Sequence, residues 1–135
     1  MRVNIMTLTL GTVGVVLFAA CGGSTSPYGG GGGGGGGGAC TPTASKVCMT
    51  AVAFNPTDLT ITAGTMVTWQ NGSAVTHTVS SATGSTQTYD SGNIPSGGTY
   101  SQTFNTAGTY DYYCKFHGTN GTPPTGMSGT ITVNP

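Results

Sequence analysis

The side chains best suited to chemistry lie close together near the C-terminus of the chain. In the stretch Tyr110–Val133, two residues separate Cys114 from His117, and nine separate His117 from Met127. Thiolate, imidazole and thioether groups are soft or borderline ligands, a combination that suits copper in both of its oxidation states. A second imidazole would complete a trigonal site, and the other histidine of the sequence is His77. These four side chains are therefore a candidate metal-ligand set.

Charged residues are scarce and balanced, which narrows the classes of partner. Lys and Arg total 3 among 135 residues, Asp and Glu also total 3, and the formal net charge is zero. The chain has no basic patch to bind phosphate backbones, so we expect no nucleic-acid partner. It has no acidic run that would suggest calcium binding. The weak overall field also means that partner recognition cannot rest on strong electrostatic steering.

The first 20 residues have the features of a secretory signal peptide. Arg2 is followed by an uncharged stretch from Val3 to Ala20, which is too short and too rich in Thr and Gly for a membrane span. Residues 17–21 resemble the lipobox of bacterial lipoproteins, in which the cysteine is lipidated and becomes the first residue after cleavage. The resemblance implies export and a lipid anchor at Cys21, in the bacterial periplasm or at the cell surface. The alternative is ordinary cleavage near Ala20, which leaves Cys21 as a free thiol.

A glycine-rich segment follows and ends at residue 38. Ten consecutive glycines begin at Gly29, and glycine on this scale has no side chains to bury and the greatest backbone freedom. We therefore expect residues 21–38 to be a linker and residues 39–135 to be one small domain with one core. The linker is either a tether that lets an anchored domain reorient or a tolerated repeat expansion.

The role assigned to each of the four cysteines limits the roles open to the others. Export places the chain in an oxidising compartment, where disulfides persist. If Cys21 carries lipid and Cys114 binds metal, Cys40 and Cys48 remain as a pair. A disulfide across that short loop would contribute about 2.5 kcal/mol. In the alternative, Cys40 or Cys48 pairs with Cys114, which would remove the metal site.

Short segments of alternating polarity, and no helical period, run through the predicted domain. The strand candidates are Val47–Phe54, Leu59–Thr62, Met66–Gln70, Val75–Ser80, Thr86–Tyr89, Thr99–Phe104, Thr109–Cys114 and Gly129–Val133. Turns that contain Gly, Asn or Pro separate them. Short strands with frequent turns indicate an all-β antiparallel sandwich or barrel.

The domain also resembles a known family. The matching segments are Phe54–Pro56, Ala63–Trp69, His77–Val79, Tyr89–Gly92, Phe104, Gly108–Cys114, His117 and Gly126–Val133. In these residues the domain resembles a cupredoxin of the plastocyanin and amicyanin kind, over about residues 47–133. The resemblance implies an all-β, two-sheet Greek-key β-sandwich with one type 1 (blue) copper at one end. His77, Cys114 and His117 would be the strong ligands of that copper, and Met127 a weak axial ligand.

The resemblance further implies a monomeric carrier of single electrons, with copper cycling between Cu(II) and Cu(I). The edge of His117 would reach the surface in an apolar patch where redox proteins dock, and Tyr113 would lie on a second electron route. The chain departs from the family pattern in two places. Residues 118–126 lengthen the loop between His117 and Met127, and Thr78 stands where plastocyanins have Asn. The Thr78 hydroxyl would then link the two ligand loops.

Other functions remain open on the sequence alone. One is copper capture or delivery at the envelope without electron transfer. Another is an immunoglobulin-like interaction module, because Cys48, Trp69 and Cys114 follow its cysteine–tryptophan–cysteine order and Tyr112 lies where a tyrosine corner would be. In a mis-metallated sample zinc could occupy the same four ligands, since tetrahedral sulfur–nitrogen sites accept it. We expect no enzyme, because copper oxidases and nitrite reductases need further histidine clusters, and no Ser–His–carboxylate set remains.

Overall fold

The structure, a computed structural model, describes residues 38–135. The predicted signal peptide (residues 1–20), the predicted lipidation site Cys21 and all of the predicted linker except Gly38 therefore lie outside the described residues. Within the described range the chain forms no helix, and thus none that is long and apolar enough to cross a membrane.

The described residues form eight β-strands in two four-stranded sheets. The strands are β1 (Lys46–Met49), β2 (Phe54–Asn55), β3 (Asp58–Thr62), β4 (Thr65–Asn71), β5 (Ser80–Ser81), β6 (Thr99–Phe104), β7 (Gly108–Thr119) and β8 (Thr125–Asn134). One sheet has the order β2-β1-β4-β6, and the other has the order β3-β8-β7-β5. The predicted all-β sandwich is therefore confirmed, but its sheets are mixed and not antiparallel throughout.

Each sheet combines one parallel pairing with antiparallel ones. In the first sheet β1 runs parallel to β4, with Val47 opposite Trp69. In the second sheet β3 runs parallel to β8, with Leu59 opposite Ile131. Parallel neighbours cannot be joined by a tight hairpin, so the chain passes between the sheets before either one is complete. Both sheets therefore depend on contacts between segments that are distant in sequence.

The alternation of side chains along β7 and β8 decides which ligand candidates face the core. In β7 alternate side chains are buried as far as Cys114, and in β8 they are buried from Met127 onwards. The two strands are antiparallel, with Tyr113 opposite Ser128. Because successive side chains of a strand point to opposite faces, the inward-facing Cys114 and Met127 lie at the same end of the sandwich.

Aromatic side chains fill the space between the sheets. Trp69 is fully buried, with ring centroids 5.3 Å from Tyr112 and 6.3 Å from Phe104. Edge-to-face contacts of this kind add to the stabilisation from apolar burial. The Tyr110 hydroxyl donates to the Thr106 carbonyl at 2.6 Å, which makes a tyrosine corner at the start of β7. The core thus anchors the strand that carries the candidate ligand Cys114.

Two predicted strands in the first half of the domain differ from the structure. Val47–Phe54 is a hairpin and not one strand, because the Thr50 N–H donates to the Ala53 carbonyl at 2.8 Å and turns the chain. Val75–Ser80 becomes a strand only at its last residue, and His77 forms an isolated bridge. Both predictions are wrong for the same reason: alternation along a segment does not show whether a neighbouring strand is present to pair with it.

Two further differences concern the second half of the domain. Thr86–Tyr89 is not a strand, because only a single bridge between Ser80 and Asp90 forms beside it. β7 and β8 are longer than predicted and pair with each other again at Gly118 opposite Gly126. The predicted loop insertion is therefore the end of a β-hairpin.

Candidate metal centre

Cys114 is the free thiol among the cysteines of the described residues. Cys40 and Cys48 form the predicted disulfide, with Cα atoms 5.7 Å apart, and Cys114 is unpaired and buried. The alternative pairings with Cys114 are therefore wrong. The immunoglobulin-like interpretation is also wrong, because it needs a disulfide from Cys48 to Cys114. The tyrosine corner lies at Tyr110, and the Tyr112 hydroxyl has no hydrogen-bond partner within the described residues.

Three of the predicted ligands converge at one end of the sandwich. His77, Cys114 and His117 each offer one ligand atom, and these atoms all lie within 4.8 Å of one another. Cys114 Sγ is 3.6 Å from His77 Nδ1 and 3.4 Å from His117 Nδ1. Both imidazoles thus direct the same ring nitrogen at the sulfur, and one sulfur and two nitrogens surround a common point.

The spacing of these atoms fits a bound metal ion. With bonds of about 2.3 Å to sulfur and about 2.0 Å to nitrogen, two ligand atoms on one ion lie ~3.5–3.8 Å apart. The observed sulfur–nitrogen distances of 3.6 and 3.4 Å are close to that range. One thiolate with two imidazoles is the trigonal donor set of blue-copper sites. His77, Cys114 and His117 therefore form a candidate type 1 copper site.

Met127 is the candidate fourth ligand of this site. Its side chain is 1 % exposed and faces the core from β8. Its backbone passes directly against the ligand loop, because a Cβ placed on Gly118 would lie 2.7 Å from the Met127 carbonyl oxygen. Met127 thus lies on the inward face of the strand beside His117, where a weak axial ligand of a blue-copper site is expected.

The ligands differ in their access to solvent. His77 and Cys114 are 0 % exposed, whereas His117 is half-buried. Phe116, directly before His117, is 55 % exposed, and Val75, two residues before His77, is 42 % exposed. Each of the two histidine-bearing segments therefore presents an apolar side chain to solvent.

The surroundings of His77 favour a neutral imidazole. Burial lowers the pKa of His77 below its ordinary value of 6.5, the nearby His117 lowers it further, and a hydrogen bond with the Thr50 backbone acts in the opposite direction. The neutral imidazole is the form that binds a metal. The Ser73 hydroxyl lies 2.9 Å from Nε2, the ring nitrogen that is not directed at Cys114. Nδ1 of a neutral ring is thereby left for the metal.

Thr78 connects the two ligand loops. Its hydroxyl accepts a hydrogen bond from the Lys115 N–H at 2.9 Å, and its own N–H donates to Cys114 Sγ at 3.4 Å. Hydrogen bonds to a ligand sulfur orient it and tune its electronic properties. The structure thus shows the link that the sequence predicts at Thr78, with a second contact directly to the thiol.

The lengthened segment between His117 and Met127 is a β-hairpin. After a bulge that begins at Tyr113, pairing resumes with Gly118 opposite Gly126. Gly126 has a φ of +75°, and a Cβ on it would lie 2.7 Å from the His117 carbonyl oxygen. Only glycine fits here, because backbone atoms occupy the space that a side chain would need. Backbone contacts beside the ligands therefore determine the shape of this loop.

Two side chains fasten the tip of the hairpin to the domain. The Asn120 Oδ1 accepts a hydrogen bond from the Thr83 N–H at 2.8 Å, and the Thr122 hydroxyl donates to the Thr83 carbonyl at 2.6 Å. The backbone N–H and the backbone carbonyl of Thr83 are thus both hydrogen-bonded to the hairpin. The ligand hairpin is held at its tip as well as at its base.

Ser73 is a site residue that sequence reasoning missed. It lies in the turn that follows β4, and both Ser73 and Asn71, the last residue of β4, are buried. Turn residues of these types are mostly exposed, so the sequence gives no reason to place the Ser73 hydroxyl against the His77 ring. The available signal is a serine four residues before the histidine, which is not specific.

Comparison with known protein families agrees with this geometry. The family described as copper binding proteins, plastocyanin/azurin family, matches residues 41–134. Plastocyanin from Scenedesmus fuscus is 36% identical over 99 residues, which cover 62% of this chain and 88% of the plastocyanin. Amicyanin-alpha from Methylorubrum extorquens is 34% identical over 92 residues, which cover 67% of this chain and 71% of the amicyanin.

Solved structures show the same fold. Amicyanin from Paracoccus versutus superposes with a TM-score of 0.55 at 28% identity, covering 70% of this chain and 85% of its own. A purple cupredoxin from Nitrosopumilus maritimus superposes with a TM-score of 0.54 at 26% identity, covering 67% of this chain and 99% of its own. The sandwich, the ligand cluster and the family match agree, and the chain belongs to the plastocyanin/azurin family of copper-binding proteins.

Proposed function

We propose that this protein is a carrier of single electrons in the bacterial cell envelope and not an enzyme, with one type 1 copper that cycles between Cu(II) and Cu(I). The observation that carries the proposal is the cluster of Cys114 Sγ with the Nδ1 atoms of His77 and His117. Family membership supports copper-based electron transfer. Bound copper supplies a one-electron couple that a sulfur–nitrogen trigonal set accommodates in both oxidation states.

The role of the protein chain is to keep the ligand atoms in place and dry. His77 and Cys114 are fully buried, which excludes water from their ligand atoms. The Thr78 hydrogen bonds hold the first histidine segment to the cysteine segment. The glycine crossing at Gly118 and Gly126 holds β8 against the second histidine. A ligand set restrained by these contacts changes little between oxidation states, which favours fast electron transfer.

We place the docking of redox partners at the face that His117 reaches. Phe116 is exposed beside it, with ring centroids 6.3 Å apart. Because the chain has almost no net field, an apolar contact of this kind suits a brief encounter that does not rely on charge. Tyr113, half-buried in β7 and adjacent to Cys114, is the candidate for the second route.

The proposed location follows from the N-terminal sequence and the disulfide. A Cys40–Cys48 disulfide is typical of an exported protein. The lipobox-like segment predicts that Cys21 carries lipid, so that a monomeric domain is tethered to the membrane at the periplasm or cell surface. Mass spectrometry of the mature protein tests this part, because a lipidated N-terminal Cys21 adds a defined mass, whereas plain cleavage adds none.

Absorption spectroscopy and voltammetry of the copper-loaded full-length protein test the carrier function. We expect an intense visible thiolate-to-copper band, a reversible one-electron couple and rapid self-exchange. Cys114→Ser should remove the band, whereas serine at both Cys40 and Cys48 should keep it. Slow, irreversible cycling with easy release of copper would indicate copper capture or delivery instead. A colourless protein under oxidising conditions would rule out the blue-copper site.

A further inference from the structure

We propose that Asn71 and Ser73 form a directional hydrogen-bond relay that selects the Nε2–H tautomer of His77 and thereby presents Nδ1 to the metal. Both are positioning residues, because they act through the imidazole and not on the metal. The inference rests on the proposed copper site, which it deepens by naming what orients one ligand. It is derived from the contacts of the turn that follows β4.

The side-chain amide of Asn71 has one consistent orientation. Its Nδ2 lies 2.7 Å from the Val75 carbonyl and 3.0 Å from the Ile94 carbonyl, and both of these groups only accept. Its Oδ1 lies 2.9 Å from the Ser73 N–H, which only donates. Exchanging the two atoms would place donor against donor and acceptor against acceptor. Oδ1 of the fully buried Asn71 therefore faces Ser73.

The orientation of Asn71 then fixes the direction in which the Ser73 hydroxyl donates its proton. Its Oγ lies 2.8 Å from the Asn71 Oδ1 and 3.2 Å from the Val75 carbonyl, two atoms that can only accept. At 2.8 Å the two oxygens would repel each other without a proton between them, so the hydroxyl donates to Asn71 Oδ1. Oγ consequently turns a lone pair towards Nε2 of His77, which is 2.9 Å away. Nε2 must carry a proton for this contact to be a hydrogen bond.

The tautomer decides which ring nitrogen can bind a metal. A neutral imidazole has one N–H, so a proton on Nε2 leaves the lone pair on Nδ1. Nδ1 of His77 is the atom that lies 3.6 Å from Cys114 Sγ, inside the ligand cluster. The relay thus sets both the tautomer and the rotation of the ring. Loss of such an outer partner typically weakens metal binding by about 10–100-fold.

The turn that carries the relay is supported by covalent and backbone contacts. A Cβ on Gly72 would lie 3.0 Å from the Cβ of Cys40, so the disulfide packs directly against the turn. The Gly72 N–H donates to the Met49 carbonyl at 3.1 Å, and the Asn71 N–H donates to the Gly98 carbonyl at 2.8 Å. None of these contacts involves a metal ligand. The relay is therefore in position in the metal-free protein.

NMR of the imidazole nitrogens in the metal-free, full-length protein tests the relay directly. At about pH 8, where histidine is ordinarily neutral, long-range ¹H–¹⁵N spectra should show His77 as the Nε2–H tautomer with a slowly exchanging proton. A spectrum that shows the Nδ1–H tautomer, or an equal mixture, would overturn the proposal. This experiment uses neither copper nor a variant. It stays decisive if the carrier function fails or a variant does not fold.

Variants then identify the partner responsible. Ser73→Ala should give a mixture of tautomers, at least about tenfold faster exchange of the Nε2 proton and ~10-fold weaker Cu(II) binding, whereas Ser73→Thr should restore all three. Ser80→Ala is the matched control, because Ser80 is also buried but its hydroxyl donates to Asp90 Oδ1 at 3.1 Å. If Ser73→Ala keeps the wild-type tautomer and exchange rate, the Thr50 backbone holds the ring and the relay is rejected.

Discussion

The Thr78 hydroxyl accepts a hydrogen bond of 2.9 Å from the backbone amide of Lys115. This bond joins the residue after the first histidine ligand to the residue after the cysteine ligand, which are 37 positions apart in the sequence. The Thr78 N–H also donates to Cys114 Sγ. The two ligand segments are therefore coupled by a side chain as well as by any metal that they share.

Removing the Thr78 hydroxyl should cost stability even without copper. Thr78→Val keeps the shape of the side chain but leaves the Lys115 N–H without its partner, so we expect a loss of about 1–3 kcal/mol in the free energy of unfolding. Thr68→Val is the control, since the Thr68 hydroxyl meets Ser101 Oγ on the exposed face of the sheet. Urea unfolding of both copper-free variants measures the difference. Equal losses would contradict a special role for Thr78.

The close backbone contact of Gly118 and Gly126 beside His117 should not tolerate a side chain. Gly126→Ala adds a Cβ that would lie 2.7 Å from the His117 carbonyl, in a residue whose φ is +75°. Gly64→Ala is the matched control, because Gly64 has a φ of +87° but no atom within 4 Å of the added Cβ. We expect about 1–2 kcal/mol of destabilisation from the backbone conformation at Gly64.

At Gly126 the collision adds to the backbone cost, and we expect at least ~1 kcal/mol more than at Gly64. Chemical denaturation of the two variants gives the comparison. The copper-loaded Gly126→Ala protein should also show a shifted visible band, because β8 and Met127 must move away from the ligand loop. Identical stabilities and spectra for the two variants would show that the crossing does not constrain the site.

Removing the disulfide should weaken the fold without removing the metal site. Replacing both Cys40 and Cys48 with serine frees a loop whose ends are 8 positions apart, and we expect a loss of about 2.5 kcal/mol. Neither residue is a ligand, so the copper-loaded variant should keep its thiolate band below its unfolding temperature. Thermal unfolding followed at the band and by circular dichroism tests both statements. A folded but colourless variant would contradict the ligand assignment.

The ion pair between Asp90 and Lys115 should make stability depend on pH in the acid range. The hydrogen bond from Lys115 is the main cause that lowers the pKa of Asp90 below its ordinary value of 3.8, while burial opposes it. Because the folded-state pKa is the lower one, the unfolded chain binds more protons as the pH falls. The stabilisation of the fold by this ion pair is therefore complete above about pH 5, and it is lost as the pH falls through the folded-state pKa of Asp90.

This dependence can be isolated by comparing variants of the copper-free protein. Wild type should have a higher unfolding temperature than Asp90→Asn at pH 7, and the difference should vanish in the acid range. The difference should be small, since both side chains are 47% exposed. A gap between wild type and Asp90→Asn that widens on acidification would reverse the assigned sign.

The ligand set could be predicted from the sequence because it depends on residue type and order. Cysteine, histidine and methionine are few in this chain, and Cys114, His117 and Met127 follow one another in the order of a known motif. Strands β4 and β6 were likewise predictable, because turns that contain glycine precede both of them, and β4 also alternates between buried and less buried residues. A site can thus be predicted without a structure when its residues are close in sequence or belong to rare residue types.

The partners of the ligands could not be predicted in the same way. The contact of Ser73 with His77 depends on how a turn folds back on itself, and neither residue type requires it. The hairpin after His117 looked like a loop because Gly118 and Gly126 usually mark breaks. In the structure they permit two backbones to approach closely. In the sequence these glycines predict a flexible loop, but in the structure their lack of a side chain allows the two backbones to contact each other.

The parallel pairing of β3 with β8 also determines the order in which parts of the domain can fold. β3 is among the first strands of the domain and β8 is the last, so the second sheet cannot close until the whole chain is present. Folding that relies on such distant pairing is slow compared with local structure formation. We therefore expect the Cys114 thiol to become buried only when the final strand docks, so that a copper ion arriving before this closure would meet ligands that are still apart.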